Sequence, residues 1–441
     1  MPQAQSPESR TRNAESTATS QKAPLKVALL GFGTVGASVA RILVERPELA
    51  NRLQLTHVFN RGVTRKRADW VPSSVVWTDN FDDVLTGRPD VVVEVVGGVT
   101  PAYEWVSKSI EQGASVVTAN KMLLAAHGPE LLNAAARKGV RLRFEAAVGG
   151  GVPLIHGVRE GLAGDSLTGV AGILNGTCNY ILSRMSATGE AMDIVLADAQ
   201  RLGYAEADPT ADVDGFDAAA KLVVLAGIAF HRHLRMPEVP RRSIRPLSGF
   251  DFRYAARLGC TIRQVSTVQS TEGGFYGSVG PALVPQVSSF GRNEGANNVV
   301  SIYGKYGGES SFSGAGAGGP ATAVAVVSDL LALTQGGRQN EAEEWLPASF
   351  VAPPPLPYYL RFIVKDRPGI LAAISTAMAK YDVNLDAVLQ EPGYPKDRLP
   401  FVITVEPCEE AALLEALGEL SDADWHADPP LALPRLLGQD S

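Results

Sequence analysis

The run KVALLGFGTVGASVARILVER, residues 26–46, constrains the fold most, because a buried strand, a glycine turn and a helix follow one another without a break. Gly31 permits the tight turn, Gly33 lets backbone approach a pyrophosphate, and Gly36 lets the helix pack on the strand. Amides at the helix N-terminus then face the phosphates. Val27, Leu29 and Leu30 precede the turn, while Val35, Val39, Ile42 and Leu43 follow at helical spacing. A second β-like run, Leu55 to Phe59, arrives where the next parallel strand belongs. A purely structural glycine turn is the competing reading. The context favours a dinucleotide site, with Gly31, Phe32, Gly33, Thr34, Val35 and Gly36 as candidate contacts. The second strand ends in Asn60 and Arg61 rather than in an acid. A carboxylate there would accept from a ribose hydroxyl and repel a 2′-phosphate, whereas an arginine pairs with that phosphate. NADP is therefore the expected cofactor, with NAD as the alternative, unless Arg61 is only a solvated surface charge.

At 441 residues and 45% hydrophobic content the chain can bury substantial cores, and its length points to two to four domains. A net charge of −7 without a basic cluster argues against nucleic acid as a partner. No apolar run reaches the roughly 18 residues that suggest a membrane span. The first 23 residues are rich in Ser, Thr, Gln and Ala and lack an apolar core, which reads as a disordered tail rather than a secretory signal. Cys178, Cys260 and Cys408 are widely separated and form no metal pattern, as expected of structural thiols in a reducing cytoplasm.

From 24 to 145, apolar runs (Val27 to Leu30, Leu55 to Phe59, Val91 to Val95, Ser115 to Thr118, Arg141 to Glu145) alternate with helical stretches, which predicts an α/β, doubly wound parallel sheet. Residues 146–313 change to longer helices followed by strands, including Tyr276 to Val279 and Val299 to Gly304, and read as an α+β substrate domain. GAGAGG, residues 314–319, is not a Walker loop, since no Gly-Lys-Ser/Thr follows. The helical segment after it, Ala321 to Leu333, is expected to pack back and complete the nucleotide domain over about 314–335. Residues 336–357 end in PPPLP and read as a stiff linker. A βαββαβ module is expected over 358–436, with DRPGI as its first turn.

Chemistry concentrates in RLGYAEADPTADVDGFDAAAK, residues 201–221. Asp217 and Lys221 are four apart on a predicted helix, so they face one way, either as an exposed pair or as an ammonium beside a carboxylate in a cleft. A calcium loop is excluded, because alignment on Gly215 puts Lys221 where the bidentate glutamate belongs. Lys121 ends VVTANK, just past a strand of the parallel sheet, where ligands of such sheets gather. Two lysines in one crevice would set positive charge beside a substrate oxygen, and their repulsion and desolvation would tune a proton-transferring amine. Carbonyl reduction requires this, since hydride arriving at carbon leaves an alkoxide. In EAAVGGGVP, Glu145 stands at a strand end before bent backbone with outward carbonyls, which suits either a hard-oxygen cation site or an interdomain hinge.

Together GFGTVG, VTANK, EAAVGGGVP, GILNGTCNYIL, LGYAEADPTADVDGFDAAAK and GAGAGGPATAVAVVSDL resemble the monofunctional homoserine dehydrogenases, in order, from about 25 to 335. The resemblance implies a Rossmann-type nucleotide domain, a catalytic and dimerisation domain, and NAD(P)-dependent interconversion of homoserine and aspartate 4-semialdehyde on the route to threonine and methionine. It implies Glu206 and Asp217 on the substrate amino group, and Lys121 and Lys221 near the reacting oxygen, with Lys221 as proton donor. It further implies a pocket shaped by Asn175, Gly176, Thr177 and Gly203, and cofactor contacts at Gly98, Lys121 and Gly318. Glu145 with the backbone of Val148, Gly150 and Val152 matches the family's structural sodium site. Ala321 stands where many relatives carry threonine, with Thr322 adjacent. The tail resembles a ferredoxin-like ACT domain, which implies an amino-acid effector, threonine being the expected one, at an interface of paired modules in a homodimer or homotetramer.

Two other readings compete. A phosphorylating semialdehyde dehydrogenase needs a thiol nucleophile, and Cys178 is the candidate. A catalytically silent amino-acid sensor would keep the dinucleotide fold and the ACT module for binding alone.

Overall fold

The computed structural model describes residues 23–335 and 344–436. The expected tail therefore falls, apart from Ala23, outside the described residues, as do residues 336–343 of the linker.

The first layer is built from β1 (Leu25–Leu30), α1 (Thr34–Glu45), β2 (Leu53–Phe59), α2 (Val63–Lys66), β3 (Val76–Thr78), α3 (Phe81–Thr86), β4 (Val91–Glu94), α4 (Ala102–Glu111), β5 (Ser115–Thr118), α5 (Lys121–Lys138) and β6 (Leu142–Arg143). The strands form a parallel sheet in the order β3-β2-β1-β4-β5-β6. Residues Val27 to Leu30 are fully buried because helices cover both faces of the sheet, and alternate side chains serve the two faces. Val27 and Leu29 join Val39 of α1, whereas Ala28 and Leu30 join Val106 of α4 and Leu124 of α5. The last strand is shorter than the apolar run Arg141 to Glu145 suggests. Glu145 to Ala147 turn into a 3-10 segment instead, and the Glu145 amide donates to Asp329 at 2.7 Å.

The second layer contains α6 (Leu154–His156), β7 (Leu167–Ile173), α7 (Gly176–Thr188), α8 (Met192–Arg201), α9 (Thr210–Val213), α10 (Phe216–Phe230), β8 (Arg232–His233), α11 (Gly249–Arg257), β9 (Cys260–Thr271), β10 (Gly274–Pro285), β11 (Asn297–Gly304), β12 (Gly308–Ala315) and α12 (Gly319–Thr334). Five of the strands make an antiparallel sheet in the order β10-β9-β7-β11-β12. Helix α10 is apolar almost all round, with Ala218 to Ala220 and Leu222 to Ile228 buried, so it runs through the core rather than along its surface. Helix α12 packs on α1, through Ala323, Val326 and Leu330.

The described end of the expected linker is not a free spacer. Trp345 is buried against α5 and α10 over Gly128 and Gly227, and β13 (Leu346–Pro347) pairs with β8. A large aromatic ring in a core outweighs the stiffness of the proline run that follows.

The third layer is β14 (Leu356–Val364), α13 (Ile370–Lys380), β15 (Leu385–Gln390), β16 (Leu399–Cys408), α14 (Glu410–Glu419) and β17 (His426–Pro434), an antiparallel sheet ordered β15-β16-β14-β17. Period-two alternation along β14 sorts its side chains. Leu360 and Phe362 pack under α13 and α14, whereas Tyr359 faces the second layer at Phe252, Tyr254 and Ile262. On that second face the Arg361 guanidinium donates to Asp251 at 2.5 Å and the Tyr359 hydroxyl donates to the same carboxylate at 3.0 Å. Asp251 is fully buried and also closes the capping box of α11 with Ser248. Breaking a buried pair leaves the surviving charge uncompensated. Asp251→Asn should therefore destabilise the protein by about 3 kcal/mol or more in urea unfolding; an unchanged midpoint would show that the pair contributes nothing.

Candidate active site

In an open parallel sheet ligands gather where the strand order reverses, beyond the carboxyl ends, and here that point lies between β1 and β4. A cleft of about 660 Å³ opens there. Val35, Gly97 and Lys121 line it from the first layer, Asn175, Tyr204 and Lys221 from the second, and Gly316 to Gly318 close one side.

Both lysines point into this cleft and meet on one carboxylate. Lys121 Nζ lies 3.0 Å from Asp217 Oδ1, and Lys221 Nζ donates to Asp217 Oδ2 at 2.6 Å. Asp217 and Lys221 are not an exposed surface pair, since their side chains are 14% and 12% exposed. The repulsion expected between two neighbouring ammoniums is offset by the carboxylate between them. Burial pushes the Asp217 carboxyl up, but the charges of Lys221 and Lys121 outweigh it and hold the group far below the usual carboxylate range. Lys221 also donates to the Leu174 carbonyl at 2.8 Å, so two of its three N–H groups are fixed and the third is left to the cleft.

Local sequence explains this placement. Asn120 and Asn175 are N-caps of α5 and α7, their side-chain oxygens accepting from Leu123 N and Cys178 N. Each also uses its amide nitrogen. Asn120 donates to the Gly98 carbonyl at 2.6 Å, and Asn175 donates to Asp212 at 2.6 Å and Asp217 at 3.0 Å. Burial raises the Asp212 carboxyl despite the donation from Asn175. Thr177 donates to the Tyr204 carbonyl at 2.6 Å, and Gly176, Thr177 and Gly203 line the cleft.

A second cavity, about 380 Å³, lies over the glycine turn and is lined by Gly31, Phe32, Gly33, Asn60, Arg61 and Lys66. Gly31 has φ +103°, the left-handed backbone that its tight turn demands. A Cβ on Gly36 would lie 2.1 Å from the Gly31 carbonyl oxygen, whereas one on Gly33 would meet nothing within 4 Å. Helix α1, which Thr34 begins, has no side-chain cap and no acid in its first turn. Open space over Gly33 and uncapped amides fit a dinucleotide's diphosphate. The Phe32 ring is turned away into the core, 4.8 Å from Trp77 between centroids, so it offers a cofactor its backbone only. Val35 and Gly318 line the larger cleft, and Gly98 adjoins its lining residue Gly97.

Glu145 is buried, and both its oxygens accept helix-turn amides, from Ile155 and His156 at 2.8 Å each. Burial raises its carboxyl, against those amides and His156. Val148 and Val152 are buried beside it, the Val152 carbonyl accepting from Leu154 N at 2.7 Å, and Gly150 reaches the cleft wall. A carboxylate and backbone carbonyls are hard-oxygen donors of the kind a monovalent cation takes. Among the described residues no cluster of three or more His, Cys, Asp or Glu side chains is arranged to hold a metal ion.

Two candidates do not line the cleft. Glu206 is exposed on the loop before α9 and does not line the cleft. Cys178 is fully buried, its thiol donating to the Asp212 carbonyl and pushed well up by burial, which leaves it a poor nucleophile. Asp212, Tyr204 and Lys66 escaped the sequence reading. Asp212 lies within the acidic run after Tyr204, and Lys66 ends the short helix α2 that follows Arg61. Among the described residues no helix is long and apolar enough to cross a membrane.

Comparison with known proteins follows the same divisions. Residues 31–145 match the family model of the homoserine dehydrogenase NAD binding domain, 153–331 that of homoserine dehydrogenase, and 358–424 that of the ACT domain. Homoserine dehydrogenase of Pseudomonas aeruginosa is 37% identical over 425 residues, 92% of this chain and 97% of that protein. The crystal structure of a homoserine dehydrogenase from Thiobacillus denitrificans superposes with a TM-score of 0.86 at 35% identity, covering 93% of this chain and 98% of that one. A hyperthermophilic archaeal homoserine dehydrogenase mutant in complex with NADPH superposes at 0.63 with 25% identity, over 72% of this chain and 100% of that one.

Proposed function

The chain belongs to the homoserine dehydrogenase family, and from that premise we propose how its cleft divides the labour of an NAD(P)-dependent oxidoreductase that interconverts L-homoserine and L-aspartate 4-semialdehyde. The observation that carries the reading is the single carboxylate, Asp217, held between two lysines at the sheet's switch point. When bound, the nicotinamide ring supplies or accepts the hydride. Lys221 sits with one N–H free toward the cleft and gives the proton to the nascent alkoxide during reduction, taking it back during oxidation. Lys121 adds a second positive charge beside the same oxygen. The substrate's ammonium end is met by carboxylate, at Asp217 and at Glu206 of the exposed loop before α9.

Arg61 and Lys66 line the cavity over the glycine turn and favour the 2′-phosphate of NADP over the bare ribose of NAD. A sodium ion on Glu145 and the carbonyls of Val148, Gly150 and Val152 would brace the bend between the first two layers without entering the reaction. The ACT module is regulatory, threonine being the effector expected, within a homodimer or homotetramer in the cytoplasm.

Lys221→Ala should lower kcat for homoserine oxidation by about 100-fold or more with the fold intact by circular dichroism; near-normal turnover would remove Lys221 from the chemistry and revive the sensor reading. Arg61→Asp should shift the ratio of kcat/KM for NADP over NAD toward NAD by about tenfold or more, and an unchanged ratio would contradict the assignment of that cavity.

A further inference from the structure

Glu94, the last residue of β4, is a fully buried carboxylate immediately before Val95, Val96 and Gly97, which line the cleft. Its neighbours across the sheet are Leu30 of β1 and Thr118 of β5, so it stands at the switch point itself. One oxygen accepts from the amides of Val96 and Gly97, at 2.8 and 3.1 Å. The other accepts from the Thr118 hydroxyl at 2.6 Å, and that hydroxyl in turn accepts from Asn120 N at 3.0 Å. Asn120 caps the helix that Lys121 begins and donates back to the Gly98 carbonyl at 2.6 Å. The bonds form a closed ring: from Glu94 to the loop after β4, from that loop to Asn120, and through Thr118 back to Glu94.

All three contacts of the Glu94 side chain require an acceptor, and no aliphatic or amide side chain supplies three in that arrangement. A buried carboxylate is costly to retain unless it is satisfied, and here its bonds go to the loop after β4 and to the end of β5 rather than to a cation. Gly97 of the loop after β4 and Lys121 at the start of α5 line the cleft. We propose that Glu94 is a positioning residue for the dehydrogenase reaction: it locks the loop after β4 to the Thr118–Asn120 corner and thereby holds the Lys121 ammonium on Asp217 and the cofactor-side wall in register. The proposal rests on the division of labour given above for Lys121 and Lys221.

The test combines Glu94→Gln, Thr118→Val, Thr118→Ser and the double variant Glu94→Gln/Thr118→Val, assayed for homoserine oxidation well below each thermal midpoint. Glu94→Gln presents a donor to the Thr118 hydroxyl, and Thr118→Val removes that hydroxyl; each should lower kcat by about tenfold or more, since small misplacements of reacting groups are costly. Thr118→Ser should recover most of the rate, and the double variant should lose little more than the worse single variant, because the two residues act through one bond. A purely structural role would shift the thermal midpoints and leave kcat within about twofold of the parent protein, which would overturn the proposal, as would losses that multiply in the double variant. If Glu94→Gln does not fold, the contrast between Thr118→Val and Thr118→Ser decides alone. Lys221→Ala in the same assay separates the two ideas: its activity falling while the Glu94 and Thr118 variants behave like the parent sinks the positioning role only.

Discussion

A carboxylate in the cleft wall, shared by two ammonium groups, organises this molecule. Lys121 begins a helix of the nucleotide-binding layer, Lys221 lies in the core helix of the second layer, and Asp217 joins them. Each charge alone would be expensive in so enclosed a place. The trio is tolerable because the lysines keep Asp217 ionised, and because Asn175 and the Leu174 carbonyl take up further hydrogen-bonding capacity. The cluster therefore fixes reactive groups and ties two layers together across the cleft.

Two asparagines build the cluster's surroundings by one device. An N-cap oxygen satisfies a helix amide that would otherwise be orphaned, and the same side chain's nitrogen reaches the site. Asn120 does this for the helix carrying Lys121, and Asn175 for the helix beside Asp212 and Asp217. Helix starts and site geometry are thus set together, so a substitution that weakens either cap is felt in the cleft. The third layer is held by the same economy of groups: Asp251 caps its own helix while pairing with Arg361.

Much of this was legible in the chain itself. The glycine fingerprint, preceded by the apolar run Val27 to Leu30 and followed by an amphipathic helix, specifies the parallel layer, because local pattern and tertiary role agree there. The four-residue offset of Lys221 from Asp217 places both on one helix face, as their contact requires. The bridging of both lysines by one carboxylate was not legible, since it depends on how two layers meet. Trp345 is not legible as a core residue because the prolines after it dominate the local pattern. Cys178, a candidate nucleophile from sequence position alone, proved a buried thiol with its proton engaged. Glu206 was carried by the motif around it, yet it lies on an exposed loop, where sequence spacing does not specify direction.

Substitution of Asp217 by Asn keeps the shape of the shared group and removes its charge, leaving the two lysines facing one another. Steady-state homoserine oxidation by this variant, with cofactor affinity measured separately by fluorescence titration, isolates the role of that charge. kcat should fall by about 100-fold or more while the cofactor dissociation constant stays within about twofold. A variant that oxidises homoserine at close to the parent rate would contradict the shared-carboxylate arrangement as the basis of catalysis.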